Sequence, residues 1–154
     1  MSDNQPNRIA GFGRIERREP LRFAFDGREF TGYKGDTLAS ALLANGVQLV
    51  ARSFKYHRPR GVFSAGVEEP NALVALREGA RREPNTRATV AELYDGLVAE
   101  SQNRSPNLKF DIQALNQLIA RFIPAGFYYK TFMGPFANTK LWMFFEKIIR
   151  RSAG

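Results

Sequence analysis

The sequence predicts an α+β fold, in which a small mixed sheet packs against one helix. Polar and apolar residues alternate on both sides of Asp26-Gly27, and this pattern is a strong signal for a β-hairpin. A helical pattern of leucines follows the hairpin directly, and short apolar runs further along the chain supply more strands. Together these features indicate one sheet covered by one helix.

Composition limits the kinds of site that the chain can form. Its 154 residues are 44% apolar and 25% charged, which is typical of a globular protein. Because cysteine is absent, a disulfide scaffold, a thiol nucleophile and a cysteine-held iron–sulfur cluster are excluded, and the single histidine, His57, excludes a multi-histidine metal site. No secretory signal or membrane-spanning run is recognisable, so we expect a cytoplasmic chain.

The chain changes character at residue 21. Residues 1–20 are polar, rich in arginine and without periodicity, so we expect a flexible polar arm there. The hairpin pattern begins immediately afterwards, and its turn lies at Asp26-Gly27. The apolar residues of the two predicted strands are Leu21, Phe23, Phe25, Phe30 and Tyr33.

A helix is predicted after the hairpin, because a capping residue, an apolar face and a stop signal follow in that order. Asp36 or Thr37 can cap the first turn. Asn45-Gly46 ends the helix, since glycine readily adopts the left-handed conformation. The leucines expected on the apolar face are Leu38, Leu42 and Leu43.

Three apolar runs predict the remaining strands. Residues 47–50 form a short strand or the approach to one, residues 72–76 form a buried strand, and residues 87–90 form another after a polar turn at 81–85. The order strand, turn, strand, helix, loop, strand, strand is that of a β-grasp domain, which we place at residues 21–97.

Residues 98–154 are expected to form a helical extension. A polar loop at 101–107 precedes a helix capped by Asp111, and a last helix covers residues 140–151 with one apolar face. Aromatic residues are dense between Phe122 and Phe145. These rings either bind a partner or fold back on the preceding domain.

A basic loop at residues 52–61 is the strongest candidate for a binding site. Arginine binds phosphate through two donors, lysine acts as a point charge, and aromatic faces stack on flat rings. The loop therefore suits a phosphorylated cofactor or an anionic partner, although a solvated basic loop is an equally simple interpretation. Its cations and rings are Arg52, Phe54, Lys55, Tyr56, His57, Arg58 and Arg60.

The net charge of +8 first suggests nucleic acid as a partner. The cations are scattered over the arm, the basic loop and the last helix, and no nucleic-acid motif accompanies them, so we expect neither a nucleic-acid nor a membrane partner. A stand-alone basic module that binds nucleic acid or an acidic partner is the alternative. No paired carboxylates, Ser-His-Asp order or metal-ligand spacing is present, which predicts a chain without catalytic or metal-binding residues of its own.

Several blocks of the sequence closely resemble the N-terminal region of heterotetrameric sarcosine oxidase alpha subunits. The resemblance extends from about residue 21 to residue 154. The blocks that carry it are residues 35–46, 52–61, 68–74, 92–97, 124–133 and 149–151.

The wider family has an N-terminal β-grasp, ferredoxin-like domain that carries a two-iron two-sulfur cluster. Its cysteine pattern is C-x4-C-x2-C followed by a fourth, more distant cysteine. The resemblance places these four positions at Ser64, Glu69, Ala72 and Thr89. None of these side chains can hold such a cluster, so the resemblance implies a ferredoxin-like fold that keeps its shape without the metal.

The resemblance also implies an enzyme and its partners. The family oxidatively demethylates sarcosine to glycine, releases hydrogen peroxide and passes the one-carbon unit to tetrahydrofolate. It implies FAD in the beta subunit, FMN at the alpha–beta interface, and NAD and tetrahydrofolate in later domains of the alpha subunit. The implied partners are the beta, gamma and delta subunits and the rest of the alpha subunit, in a hetero-oligomer.

This chain ends where the family's NAD-binding domain would begin, so we expect residues 98–154 to lead toward a domain that is absent here. The basic loop borders the former cluster positions and is the candidate contact with FMN or the beta subunit. The residues expected at that contact are Arg52, Ser53, Lys55, His57, Arg58 and Arg60.

Overall fold

A five-stranded mixed sheet forms the centre of the fold. The structure is a computed structural model and describes residues 5–118 and 139–153. Among these residues, short 3-10 helices lie at Gly79–Arg81 and Ile112–Gln117. In chain order the strands and α-helices are β1 (Glu16–Phe25), β2 (Arg28–Lys34), α1 (Leu38–Ala44), β3 (Ala51–Arg52), β4 (Pro59–Arg60), β5 (Leu73–Leu76), β6 (Glu83–Arg87), β7 (Leu97–Ser101) and α2 (Thr139–Ala153).

The strand order of the sheet is β2-β1-β7-β5-β6. Strand β1 is antiparallel to β2 and parallel to β7, whereas β5 is antiparallel to both of its neighbours. Strands β3 and β4 form a separate antiparallel pair. The mixed sheet with one helix packed on it confirms the predicted α+β, β-grasp fold.

Helix α1 supplies one side of the core. Its Leu38 and Leu42 are fully buried, and they belong to one apolar cluster with Phe23 of β1, Val74 of β5 and Leu97 of β7. Each fully buried leucine contributes about 1.5–3 kcal/mol to folding. The core therefore lies between α1 and the sheet, and the loops that carry the candidate site lie beside it.

The first hairpin forms as predicted. Asp26 and Gly27 both have positive φ, at 49° and 72°, which is the geometry of the tight turn that matches the twist of the flanking strands. The Asp26 carboxylate also accepts hydrogen bonds from the Ser101 N–H at 2.8 Å and the Ser101 hydroxyl at 2.6 Å. The turn is thereby tied to the end of β7.

Helix α1 begins and ends where the sequence predicts. The Thr37 hydroxyl accepts from the Ser40 N–H and the Ser40 hydroxyl accepts from the Thr37 N–H, so the two residues form a capping box. Gly46 follows the helix with φ of 78°. The prediction that Leu43 lies on the buried face differs from the structure, because Leu43 is 36% exposed. It follows Leu38 by five positions, which turns it well away from the face that Leu38 and Leu42 share.

The N-terminal region is more structured than the expected polar arm over residues 1–20. Strand β1 already begins at Glu16, and residues 16–20 belong to it. Gln5 is buried, and the Asn7 N–H donates to the Ala44 carbonyl at the end of α1. The charged residues and the proline at 17–20 mask this strand in the sequence, because residues 16–20 are all exposed and show no alternation of apolar and polar side chains.

Two strand boundaries differ from the expected ones. Residues 87–90 were expected as a strand, but β6 is the polar segment Glu83–Arg87 and residues 88–90 form a turn. The sequence signal was misleading because Ala88 is buried as a turn residue, where its N–H donates to the Ala72 carbonyl. The sheet also continues beyond residue 97, the expected domain boundary, because β7 runs to Ser101.

The structure describes two parts of the expected helical extension, residues 98–118 and residues 139–153. Asp111 caps the helix at Ile112–Gln117 by accepting from the Gln113 N–H, but that helix is a 3-10 helix rather than the expected α-helix. The last helix, α2, agrees with the prediction for residues 140–151. The aromatic stretch within 119–138 lies outside the described residues. No helix among the described residues has the length and apolar character needed to cross a membrane.

Candidate functional site: a ferredoxin-type loop without a cluster

A buried carboxylate lies at the centre of the loop at residues 62–72, here called the cluster loop. The Glu69 side chain is fully buried although glutamate rarely is. Its Oε2 accepts from the N–H groups of Phe63 at 2.8 Å and Ser64 at 2.6 Å. Its Oε1 accepts from the N–H groups of Asn71 at 2.6 Å and Ala72 at 3.0 Å. Two donors on each oxygen satisfy the carboxylate completely.

The surroundings of Glu69 favour its ionised form. Burial by itself raises the pKa of Glu69, because it removes water from the charge. The four N–H donors outweigh this effect, led by that of Ser64 and followed by those of Asn71, Ala72 and Phe63, so the pKa of Glu69 is lowered. The carboxylate is therefore held as an anion at neutral pH.

The four positions that the resemblance assigns to cluster ligands all lie in or against this loop. Besides its N–H contact, Ser64 places its hydroxyl 3.5 Å from Glu69 Oε2. The Thr89 hydroxyl, from the turn after β6, donates to the Gly66 carbonyl at 2.6 Å and so closes the loop from the other side. Ala72 lies next to this turn, since its carbonyl accepts from the Ala88 N–H.

These residues do not fit an iron–sulfur cluster. A two-iron two-sulfur cluster needs four thiolate or imidazole ligands, whereas Ala72 has no donor atom and Ser64 and Thr89 offer only neutral hydroxyls. The one anionic group, Glu69, already uses both of its oxygens on backbone donors. Among the described residues, no group of three or more histidine or acidic side chains is placed to hold a metal ion.

The basic loop at residues 52–61 lies on the β3–β4 hairpin, and two of its residues point into the fold. Arg52 is buried and donates to the Leu108 carbonyl from Nε at 2.9 Å and Nη2 at 2.6 Å, and to the His57 carbonyl at 2.7 Å. His57 is also buried, and its Nδ1 lies 2.7 Å from Asp111 Oδ2, which in turn lies 3.4 Å from Arg52 Nε. Arg52 and His57 thus fix the loop against residues 108–111 and do not face outward.

The other four predicted residues of the basic loop lie nearer the surface. Ser53 shapes the hairpin, since its hydroxyl accepts from the Arg58 N–H at 2.9 Å. The Lys55 ammonium and the Arg58 guanidinium each lie 4.9 Å from the centre of the Tyr56 ring. Arg60 donates to the Asn71 side chain and so connects the basic loop to the cluster loop. Arg58 is exposed, and Lys55 and Arg60 are half-buried.

An apolar surface lies on the cluster loop and beside it. Reasoning from the sequence did not identify this surface. Phe63 is 78% exposed, Val67 is 73% exposed and Val90 is 47% exposed. Val67 follows Gly66 and Val90 follows Thr89, and a hydrogen bond joins Gly66 to Thr89, so the two valines lie on neighbouring segments of the chain. The sequence offered little signal for this surface, because the burial of Glu69 between Glu68 and Pro70 cannot be read from the residues themselves.

A second apolar surface lies on residues 110–118, on both sides of Asp111, which contacts the basic loop. Phe110, Ile112, Leu115 and Leu118 are all more than half exposed. The sequence predicts an apolar face here that would also include Ile119 and Phe122, but those two residues lie outside the described range. This surface is anchored to the basic loop because Asp111 contacts both His57 and Arg52.

Comparisons with known proteins agree with the resemblance seen in the sequence. The model of a family described as the 2Fe-2S iron-sulfur cluster binding domain matches residues 18–104. The sarcosine oxidase subunit alpha of Rhizobium meliloti (strain 1021) is 61% identical over 148 residues, which are 96% of this chain and 15% of that protein. The protein of the same name from Corynebacterium sp. (strain U-96) is 46% identical over 91 residues, which are 56% of this chain and 9% of that protein.

A solved structure, that of L-proline dehydrogenase from P. horikoshii, aligns with 56% of this chain and 16% of that chain at 28% identity and a TM-score of 0.44. The chain spans only about one seventh of the length of its Rhizobium relative, 15%. The resemblance to sarcosine oxidase alpha subunits is confirmed at the level of sequence. With its family match over residues 18–104 and no cysteine in any position, the chain belongs to the 2Fe-2S iron-sulfur cluster binding domain family as a member that lacks the ligands for the cluster.

Proposed function

We propose that this chain is a structural docking module of a sarcosine oxidase alpha subunit, and that it holds no cofactor of its own. The observation that carries the proposal is the cluster loop, which is fixed from inside by Glu69 while Phe63 and Val67 remain exposed. An ordered loop that exposes large apolar side chains is typical of a surface that binds another protein. The 61% identity to the Rhizobium subunit supports the choice of enzyme.

In this proposal the complete enzyme oxidatively demethylates sarcosine to glycine, releases hydrogen peroxide and transfers the one-carbon unit to tetrahydrofolate in the cytoplasm. FAD lies in the beta subunit, FMN lies at the alpha–beta interface, and NAD and tetrahydrofolate bind later domains of the alpha subunit. The present chain contributes the sheet domain, from β1 at Glu16 to the end of β7 at Ser101, as the docking domain, and the residues after it as the connection toward the NAD-binding domain. Its partners are the rest of the alpha subunit and the beta, gamma and delta subunits.

The basic loop is proposed to contribute to the contact with FMN or the beta subunit. A phosphate at a subunit interface needs cationic or N–H partners, because burying it without them is costly. Within the basic loop, Lys55, Arg58 and Arg60 are the cations that lie nearest the surface. Arg52, Ser53 and His57 act on this contact indirectly, since their hydrogen bonds hold the loop in shape.

The docking proposal is tested with the complete alpha subunit assembled with its beta, gamma and delta partners. We expect Phe63→Ser to weaken subunit association by tenfold or more, measured by size-exclusion chromatography and titration of the purified subunits. Phe12→Ser is the matched control, because Phe12 is 73% exposed but lies outside the cluster loop. Equal association of the Phe63 variant and the control would show that this surface is not a docking site.

The role of the basic loop is tested separately in the same assembly. We expect Arg58→Ala to lower the FMN content of the purified complex, and with it the rate of sarcosine turnover. Arg81→Ala is the control, because Arg81 is an exposed arginine on the 3-10 helix that precedes β6. If single alanine variants of Lys55, Arg58 and Arg60 all assemble with full flavin and normal turnover, the loop is ordinary solvated surface.

The alternative function is a stand-alone basic module for nucleic acid or an acidic partner, which the net charge of +8 favours. Two of its cations are engaged internally, since Arg8 pairs with Asp36 and Arg52 is buried. Fluorescence anisotropy with random double-stranded and single-stranded DNA separates the two functions. Micromolar binding that weakens steeply with salt at physiological ionic strength would favour the alternative.

A further inference from the structure

Four backbone N–H groups of the cluster loop converge on a single carboxylate. Such convergence of main-chain donors forms a nest for an anion, and nests of this kind surround phosphates and iron–sulfur centres in other proteins. We propose that the cluster loop is a carboxylate-binding nest, and that Glu69 is its built-in ligand and takes the place of the iron–sulfur cluster. The inference concerns the interior of the loop and does not depend on which protein docks on its surface.

The donors show that Glu69 organises the whole loop rather than one local turn. Phe63 and Ser64 precede Glu69 by six and five residues, whereas Asn71 and Ala72 follow it by two and three. The carboxylate therefore joins the two ends of the loop. A single turn would use donors from one side only.

The need for an internal anion follows from the cost of unpaired backbone groups. A loop folded around an anion directs its N–H groups inward, and buried N–H groups without an acceptor are strongly unfavourable. With Glu69 in place, the N–H groups of Phe63, Ser64, Asn71 and Ala72 all have an acceptor. Glu69 itself occupies one of the four former ligand positions, so the replacement anion comes from a site that already faced the centre.

Neighbouring side chains hold the cluster loop in place but do not bind the Glu69 carboxylate. Arg87 of β6 donates to the Glu69 main-chain carbonyl at 3.1 Å, and Arg60 of β4 donates to the Asn71 side chain. Thr89 holds the Gly66 carbonyl from outside. These contacts fix the outer side of the loop, and the inner side is left to Glu69.

The first test compares Glu69→Gln with Glu68→Gln in the 154-residue chain. A glutamine presents one acceptor oxygen and one NH₂ group, so it can satisfy two of the four N–H donors and opposes the other two. We expect amide hydrogen exchange at two or more of Phe63, Ser64, Asn71 and Ala72 to become at least tenfold faster in the Glu69 variant. Amides of the β1–β2 hairpin should keep their protection, and Glu68→Gln should match the unaltered chain because Glu68 is exposed.

The second test removes the internal ligand and supplies one from solution. Glu69→Ala leaves the nest without its anion, and acetate or propionate should restore amide protection and raise the melting temperature in a saturable manner. Sodium chloride at the same ionic strength is the control and should not do so. Equal effects of acetate and chloride, or unchanged exchange at all four amides in Glu69→Gln, would overturn the proposal. If the alanine variant does not fold, exchange in the glutamine variant alone decides the matter.

Discussion

Replacing Arg8 by alanine tests the unexpected attachment of the N-terminal segment. The Arg8 guanidinium donates to Asp36 from Nη1 at 3.0 Å and from Nη2 at 2.7 Å, and it lies 5.3 Å from the centre of the Tyr33 ring. The side chain of Asp36 is 1% exposed and that of Arg8 is 16% exposed. Arg8→Ala therefore leaves a buried carboxylate without its cation.

The loss of stability in Arg8→Ala depends on the hydrogen bonds that Asp36 keeps after Arg8 is removed. Removing one partner of a buried ion pair costs about 3–5 kcal/mol. Asp36 retains hydrogen bonds from the Ser40 hydroxyl at 2.7 Å and the Tyr33 N–H at 3.0 Å, which reduces the cost. We expect a loss of about 2–3 kcal/mol at pH 7. With an m value of about 2 kcal/mol/M, the urea midpoint falls by about 1–1.5 M.

The effect should also depend on pH in a defined direction. Burial raises the pKa of Asp36, but hydrogen bonds from Arg8, Ser40 and the Tyr33 N–H, together with the charge of Arg8, lower it to below the ordinary value of 3.8. The stabilisation is thus present above pH 3.8 and is lost as the pH falls through the folded-state pKa. Urea unfolding at pH 7 and at about pH 2.5, which is below the ordinary value of 3.8, should show a smaller difference between Arg8→Ala and the unaltered chain at the lower pH.

The control for this prediction is Arg18→Ala, which removes an exposed arginine of β1. It should change the free energy of unfolding by no more than about 0.5 kcal/mol. The reasoning is refuted if Arg8→Ala and Arg18→Ala have the same urea midpoint at pH 7, because the buried pair with Asp36 would then contribute nothing.

Three further predictions follow from the same structure. Because the pKa of Glu69 is lowered, its contribution to the stability of the folded state should be fully present above the ordinary value of 4.5 and lost as the pH falls through the folded-state pKa. Glu69→Gln should abolish this part of the acid dependence of amide exchange. Asp111→Ala should cost about 2–4 kcal/mol in urea unfolding, because it leaves Arg52 and His57 buried without their shared carboxylate. A loss below about 1 kcal/mol would show that this network is not structural. Anaerobic treatment with iron and sulfide should give no visible or paramagnetic cluster signal, and stoichiometric bound iron would contradict the interpretation of the cluster loop.

The parts of the fold that could be predicted from the sequence are those whose signals are local. The Asp26-Gly27 turn and the Thr37 cap depend on residues within four positions of each other, so their patterns are visible in a single sequence. Strand β7 pairs with β1, which precedes it by about 70 residues, and that pairing has no local signature. The attachment of Arg8 to Asp36 was missed for the same reason.

The candidate site likewise has features that the sequence predicts and features that it does not. The four positions assigned to cluster ligands come from comparing their spacing with a cysteine pattern, and in the structure all four lie in or against one loop. Arg52 and His57 were expected to contact FMN or the beta subunit, but both side chains are buried. Their proposed role is therefore the indirect one of holding the basic loop in shape. Charged residues in a polar stretch indicate a surface, whereas partners that explain the burial lie far along the chain: the Leu108 carbonyl, 56 residues after Arg52, and the Asp111 carboxylate, 54 residues after His57.

Buried charge orders the side of the domain that lacks extended strands. Strands β3 and β4 contribute only two residues each, so regular backbone pairing cannot fix residues 52–72. Instead, Asp111 fixes the basic loop through His57 and Arg52, Glu69 fixes the cluster loop, and Arg60 connects the two loops through Asn71. Residues ordered during folding need not lose that conformational freedom again when a partner binds. A rigid face of this kind favours docking, and it gives a physical reason for the loop to keep its shape after its cluster ligands are gone.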